Sequence, residues 1–306
     1  MTHTNESPTT LVTGASGYVG GRLAAHLIGG GALIRVAGRH PDELRRRFPD
    51  AEAVEIDVTR RETLEPAMRG ISTAYYLVHS MEEACAGFEE RDRIGARNFA
   101  QAAFRSGVQR IVYLGGLGDD ADDLSAHLES RHETGRVLAE YGPSLIELRA
   151  GIVIGKGSAS YRMLEDLVER LPLMITPRWV DTRSQPIAID DVVRYLEDAG
   201  RVATDHHHTI VEVGGPEVLS YRQMLRRVGG ARGRTPVVLS VPLLTPFLSS
   251  LWCGVVTSVP TSVARPLIEG QRNETVVRSA AAAKTFPDVV PIGFDEAVAR
   301  VAVEAA

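Results

Sequence analysis

Residues 9–21 read TTLVTGASGYVGG, and the reading of this stretch decides the fold. A strand-like run of Thr, Leu and Val leads into glycines at positions 14, 17 and 20, after which a helical apolar pattern begins. A strand that passes through such a turn into a helix presents bare backbone amides, and it aims the positive end of the helix at whatever lies beside them. The ligand that matches is a pyrophosphate. The stretch therefore predicts the first βα turn of a dinucleotide-binding sheet, with Gly14, Ser16, Gly17, Tyr18, Val19 and Gly20 as its contacts. A tight glycine turn without a ligand is the alternative that a lone triad leaves open.

The same alternation continues outward. ALIRVA (32–37), AEAVEI (51–56), STAYYLV (72–78), QRIVYL (109–114) and SLIELR (144–149) are nearly continuous apolar runs separated by helical patterns, which is how strands buried on both faces of a parallel sheet read. Thr59 and Glu62 have capping-box spacing, and Gly107 stops a long helix over 82–106. The fold class is α/β, a doubly wound parallel Rossmann sheet over 1–150. Beyond residue 150 the rhythm changes to short helices, turns and isolated strands, predicting a smaller, mixed α/β C-terminal substrate lobe over 151–306. That boundary is soft, because 186–189 and 208–213 are strand-like and would extend the first sheet. A last helix over 294–303 carries an apolar stripe of Phe294, Val298 and Val301.

The 306 residues, 44% of them hydrophobic, bury a sizeable core, and a net charge of -5 without basic blocks speaks against a nucleic-acid partner. Cys85 and Cys253 are too few for a disulfide framework, and MTHTNESPTT lacks the basic start and apolar run of a signal peptide, so a cytoplasmic location is expected. No charge occurs between Arg234 and Arg265. Pro242, Pro246 and Pro260 divide that stretch, and the longest uninterrupted piece, Phe247–Val259, has 13 residues against the roughly 20 a spanning helix needs. It reads as a buried or pocket-lining segment, with a homodimer contact and a membrane-surface contact as alternatives. The neighbouring histidines of DHHHT (205–209) lack the spacing of four that chelates a metal on a helix, so no metal site is expected.

The second strand ends in VAGRHPDE, and no acid occurs from Ala32 to Pro41, where an NAD-preferring site carries one for the ribose hydroxyls. Arg39 stands there instead. A guanidinium holds a 2′-phosphate through two parallel hydrogen bonds, so NADP(H) is the expected cofactor; a solvated loop cation offset by Asp42 and Glu43 is the alternative. Asp57, followed by Val58, ends the third strand, where it meets the adenine amino group or caps the turn beside Thr59.

With YYLVHSM (75–81), ELRAGIVIGKGSAS (147–160), TPRWV (176–180), QPIAIDDV (185–192) and GGPEVLSY (214–221), the chain resembles over nearly its whole length a bacterial NAD(P)H-binding, NmrA-like subgroup of the atypical short-chain dehydrogenase/reductases. The resemblance implies a nicotinamide beside Val78, His79, Ser80, Gly115, Gly116, Gly151 and Ile152; His79 and Ser80 are otherwise a strand-end pair bonded to backbone. In that superfamily a serine follows strand five and a Tyr-x-x-x-Lys pair lies on the next helix. Here Gly115 and Gly116 stand for the serine and HLESR for the pair, so His127 replaces the tyrosine and Arg131 the lysine, on one helix face. The neighbouring cation disfavours an imidazolium unless Glu129, Glu133 or Asp123 compensates, and a neutral imidazole orients an oxygen or accepts a proton. Arg131 then holds the ribose hydroxyls or pairs with Glu129 or Glu133. Tyr161 and Lys156, in the turn after strand six, are further proton-donor candidates. The implied function is an NADP(H)-dependent oxidoreductase for a small, fairly apolar carbonyl, enone or alcohol; the altered pair leaves a non-catalytic NADP(H)-binding sensor or assembly factor as the alternative.

Overall fold

Seven parallel strands form the central sheet of the computed structural model, which describes residues 9–78, 88–176, 178–240 and 258–305. In chain order they are β1 (Thr10–Thr13), β2 (Ile34–Gly38), β3 (Glu52–Glu55), β4 (Thr73–Tyr76), β5 (Arg110–Gly116), β6 (Ser144–Ala150) and β7 (His208–Val213). In space they run β7-β6-β5-β4-β1-β2-β3, so the order reverses beside β1, at the exit of the glycine turn. Helices α1 (Tyr18–Gly29), α2 (Pro41–Arg47), α3 (Leu64–Met68), α4 (Phe88–Arg105), α5 (Ala126–Tyr141), α6 (Ala159–Arg170), α7 (Ile189–Ala199) and α8 (Tyr221–Ala231) are followed by α9 (Thr261–Gly270), α10 (Ala281–Thr285) and α11 (Phe294–Ala305).

Adjacent strand residues point to opposite faces, and both faces are covered. Val12, Val36, Tyr75, Val112 and Ile146 pack with Leu23 and Leu27 of α1 and Val192 and Leu196 of α7. Their neighbours Leu11, Ala37, Ala74, Ile111 and Leu145 face Phe99 and Ala103 of α4 and Leu138 of α5. Two buried faces explain why the strands read as unbroken apolar runs. A separate core holds the C-terminal lobe, where Leu164 and Val168 of α6, Met224 and Leu225 of α8 and Ile268 of α9 meet Val298 and Val301 of α11.

The six strands read from sequence are present, and 208–213 extends the sheet as a parallel neighbour of β6. Residues 187–188 do not. They pair with Val153–Ile154 in a separate two-stranded ribbon, because β7 already occupies the outer edge of β6 from Leu145 to Ala150. The expected capping box is also corrected. The Thr59 amide and hydroxyl both donate to Asp57 Oδ1, at 2.9 and 2.7 Å, and a short 3-10 turn over Arg61–Thr63 follows. A carboxylate two residues upstream satisfies Thr59 locally, while Glu62 accepts from Arg60 at 3.0 Å. Gly107 ends α4 with φ +76°, a conformation that suits glycine, and the Val108 amide bonds back to Ala103 at 3.0 Å. The start of the predicted helix at 82–87 lies outside the described residues, as do His79, Ser80, Cys85, Cys253 and most of the uncharged stretch. Among the described residues no helix is long and apolar enough to cross a membrane.

Candidate functional site

Gly14 turns the chain with φ +69°, and a Cβ there would sit 2.3 Å from the Leu77 carbonyl oxygen of the neighbouring strand end. A Cβ on Gly20 would meet the Gly14 carbonyl at the same 2.3 Å, so both positions require bare backbone. The Gly17 amide closes the turn onto the Gly14 carbonyl at 2.9 Å. Helix α1 then starts with no side-chain cap and no acid in its first turn, leaving its N-terminal amides and positive end for an anion. Helices α5 and α6 differ, since Ser125 and Ser158 cap them. From behind, Arg47 of α2 donates to the Ala15 and Ser16 carbonyls at 3.2 and 3.0 Å, holding the turn in shape. Nothing in the local sequence pattern marks Arg47; only the packing of α2 brings it there.

A cleft of about 1040 Å³ follows the carboxyl ends of the strands. Gly14, Ser16, Gly17, Tyr18, Val19 and Gly20 line it at β1, and Arg39, Asp57 and Val58 line it beyond β2 and β3. Arg39 is exposed at its rim. Asp57 both lines the cleft and holds Thr59, so its two expected roles coincide in one side chain. Past β4, β5 and β6 come Val78, Gly115, Gly116, His127, Arg131, Gly151 and Ile152. The wall beyond is formed by Leu164, Tyr221, Val259, Val263, Leu267, Gln271 and Thr275, all from the C-terminal lobe.

Helix α5 has two polar faces with separate tasks. His127 and Arg131 face the cleft. The Arg131 guanidinium donates to the Leu114 carbonyl and lies 5.3 Å from the centre of the Tyr113 ring, which directs it to β5 and not to Glu129 or Glu133. On the face toward the sheet, His132 is 0% exposed. Its Nε2 meets the Gly116 carbonyl at 2.9 Å and its Nδ1 meets Asp120 at 2.5 Å. Asp120 in turn takes a bond from Arg149 at 3.1 Å, Arg149 donates to Glu147 at 2.7 Å, and the buried Glu147 meets His208 at 2.8 Å. This chain fastens the start of α5 and the end of β5 to β6 and β7. Burial pushes the Asp120 carboxyl up, but the hydrogen bonds from Arg149 and His132 outweigh it and hold the group below its ordinary range. Gly135 makes room for the network, since a Cβ there would lie 2.3 Å from Glu147 Oε2. Sequence reading missed these residues, although Glu147 and Arg149, two apart in an otherwise apolar strand, must share one face.

Tyr161 does not line the cleft. It is 1% exposed, within the lobe core beside Glu165 and Arg232, where burial pushes its hydroxyl up to about 12. The proton-donor expectation for it is corrected on this geometry. Tyr161 packs with Leu167 and Val168 on the buried face of α6, while Ser160 and Leu164 line the cleft. Lys156 is likewise elsewhere, its Nζ donating to the Glu304 carbonyl of α11.

Residues 14–149 match a family of NAD(P)H-binding domains. The 3 beta-hydroxysteroid dehydrogenase/Delta 5→4-isomerase of Mycobacterium tuberculosis is 33% identical over 119 residues, 36% of this chain and 32% of that protein. A 3-beta-hydroxysteroid dehydrogenase of Mycolicibacterium neoaurum is 34% identical over 150 residues, 42% of this chain and 41% of that one. The chain thus matches only about a third to two-fifths of the length of these curated relatives. Among solved structures, an NADPH-dependent quinone oxidoreductase from Escherichia coli superposes with a TM-score of 0.75 at 17% identity, covering 95% of this chain and 99% of that one. Residues 14–149, which build most of the parallel sheet, are thus the part of the chain that matches NAD(P)H-binding domains.

Proposed function

We propose that the protein is an NADP(H)-dependent oxidoreductase acting on a small, fairly apolar carbonyl, enone or alcohol in the cytoplasm. The observation that carries this reading is one continuous cleft, in which the glycine turn, the His127–Arg131 face of α5 and the apolar wall of the lobe all meet. The glycine turn fits a dinucleotide: Gly14 and Gly20 keep side chains out, and the uncapped α1 amides bind the pyrophosphate. Arg39, at the end of β2, holds a 2′-phosphate by paired, charge-assisted hydrogen bonds. Gly116 keeps the centre of the cleft clear, since a Cβ there would meet Leu128 at 2.7 Å.

The bound cofactor supplies or accepts the hydride. Arg131 commits one nitrogen to the Leu114 carbonyl and turns its remaining N–H groups to the ribose hydroxyls. His127 hydrogen-bonds the substrate oxygen, orienting it, and in the oxidative direction takes up the hydroxyl proton. Leu164, Val259, Val263 and Leu267 exclude water around the reacting centre. The names of the relatives, hydroxysteroid dehydrogenases and a quinone oxidoreductase, support an apolar ring compound as the substrate class.

The test is titration with NADPH and NADH, followed by turnover of a carbonyl, enone and quinone panel read by NADPH absorbance. Turnover slowed by His127→Ala is the expected result. Tight NADPH binding with no turnover of any compound favours the sensor reading, whose support is the replacement of Tyr-x-x-x-Lys by His127 and Arg131. Absence of NADPH binding ends both.

A further inference from the structure

Gly116 lines the cleft, and its carbonyl meets Nε2 of the buried His132 at 2.9 Å. A backbone carbonyl only accepts, so Nε2 carries a hydrogen. The other ring nitrogen, Nδ1, lies 2.5 Å from Oδ1 of Asp120. A neutral imidazole with its one hydrogen on Nε2 would aim a bare lone pair at that carboxylate, leaving two acceptors face to face. A protonated Asp120 would fill the gap, but Arg149 donates to its Oδ2 at 3.1 Å. Against the burial that pushes the carboxyl up, the hydrogen bonds from Arg149 and His132 hold it below its ordinary range. The hydrogen between the two groups therefore belongs to Nδ1. The charges agree with this count. Asp120 and Glu147 bring two carboxylates, and Arg149 and a doubly protonated His132 bring two cations, while His208 reaches Glu147 at 2.8 Å through one nitrogen, as a neutral ring does.

We infer that His132 is a positioning residue held as an imidazolium, whose two N–H groups draw the Gly116 carbonyl and the Asp120 carboxylate onto one ring and so fix the 117–125 loop beside the cleft. What the ring holds touches the site. Gly116 and Leu117 line the cleft, and the loop leads into the first turn of α5, which carries His127. The loop's other ties run to the segment after α9: Arg278 pairs with Asp119, and Asn273 accepts from the Ser125 amide at 3.0 Å and donates to the Asp123 carbonyl at 2.9 Å. The imidazolium joins the loop to the sheet side, and its bond to Asp120 is charge-assisted, the stronger kind. The effect on turnover rests on the proposed oxidoreductase reading, whereas the two ring hydrogens follow from the geometry without it.

The experiment reads the ring nitrogens of isotopically labelled histidine by NMR at pH about 8, above the ordinary imidazole value of about 6.5, with the His132 signals assigned by their loss in His132→Gln. Wild type is expected to show a hydrogen on both nitrogens of His132. Asp120→Asn changes a side chain that is 64% exposed, and it is expected to show one, because the new amide turns its own N–H toward Nδ1 and a neutral ring then suffices. In the same variant, hydrogen exchange of the 117–125 amides is expected to rise about tenfold, the loss of one charge-assisted bond. Where wild type turns over a substrate, kcat of Asp120→Asn is expected to fall about tenfold through the displaced start of α5. One hydrogen on the wild-type ring, two on the ring of Asp120→Asn, unchanged exchange over 117–125 or an unchanged kcat each overturns the inference. Wild type that turns over no compound bears on the oxidoreductase reading alone, because the NMR and exchange measurements need neither cofactor nor substrate.

Discussion

The two ends of the cleft are built on different principles. At the dinucleotide end the contacts are mostly backbone, contributed by one turn between β1 and α1, and the decisive residues are those without side chains. At the lobe end they are side chains from α6, α8, α9 and the segment after it, brought together only by packing. Backbone amides recognise a phosphate the same way in any such protein, whereas side chains set by packing recognise what one particular protein needs. On the proposed function, the fixed half would hold the cofactor and the variable half would choose the substrate. Between them lies the Asp120–His132–Arg149–Glu147 network, which holds α5 and β5 in register with both.

Breaking that junction is expected to have the largest effect. Glu147→Ala takes from the buried Arg149 one of its two carboxylate partners and from the half-buried His208 the carboxylate it meets, and should lower unfolding free energy by about 3 kcal/mol in urea denaturation. A loss below about 1 kcal/mol would mean that the network holds nothing. Next in size is the dinucleotide end. Gly20→Val puts a side chain onto the Gly14 carbonyl and should weaken NADPH binding at least about 100-fold by fluorescence titration. Gly29→Ala, where a Cβ meets nothing within 4 Å, should leave the affinity unchanged. If the two variants behave alike, the turn is not the binding element.

A smaller effect separates the cofactors. Arg39→Ala should cut the preference for NADPH over NADH by about 10- to 100-fold, the range for hydrogen bonds to a charged group, with little change in NADH affinity. Equal losses for both cofactors would move Arg39 from phosphate recognition to general steering. The smallest lies away from both ends, at Asp191. Burial raises its carboxyl above the ordinary range even though Oδ2 accepts from the Ile292 amide at 2.9 Å. An acid raised in the folded state favours folding when protonated, so this group stabilises as pH falls through the raised value toward the ordinary carboxylate range, and the gain is lost as pH climbs back. Asp191→Asn keeps an acceptor and removes the charge. It should stabilise by up to about 1 kcal/mol at neutral pH and flatten that part of the pH profile of thermal melting.

Legibility in the sequence followed the same division. The six strands were visible because burial on both faces leaves unbroken apolar runs, and Gly14 and Gly107 were visible because their turns need positive φ. His127 and Arg131 could be placed on one face by spacing alone. Tyr161 could not be placed that way, because whether a side chain after β6 faces the cleft or the core depends on how the lobe packs around α6, and it is buried there with Leu164 and Val168. Residues 187–188 failed as a sheet strand for a similar reason, since only the competition with β7 for one edge decides between them.

By itself, then, the sequence determined the parallel sheet, the glycine turn and the grouping of His127 and Arg131 on one face of α5, because each follows from periodicity or from the absence of a side chain within a short span. Tertiary structure alone decided the junction at His132 and Glu147 and the composition of the lobe wall. These depend on which distant segments share a buried volume, and no local pattern encodes whether a polar group there will find a partner.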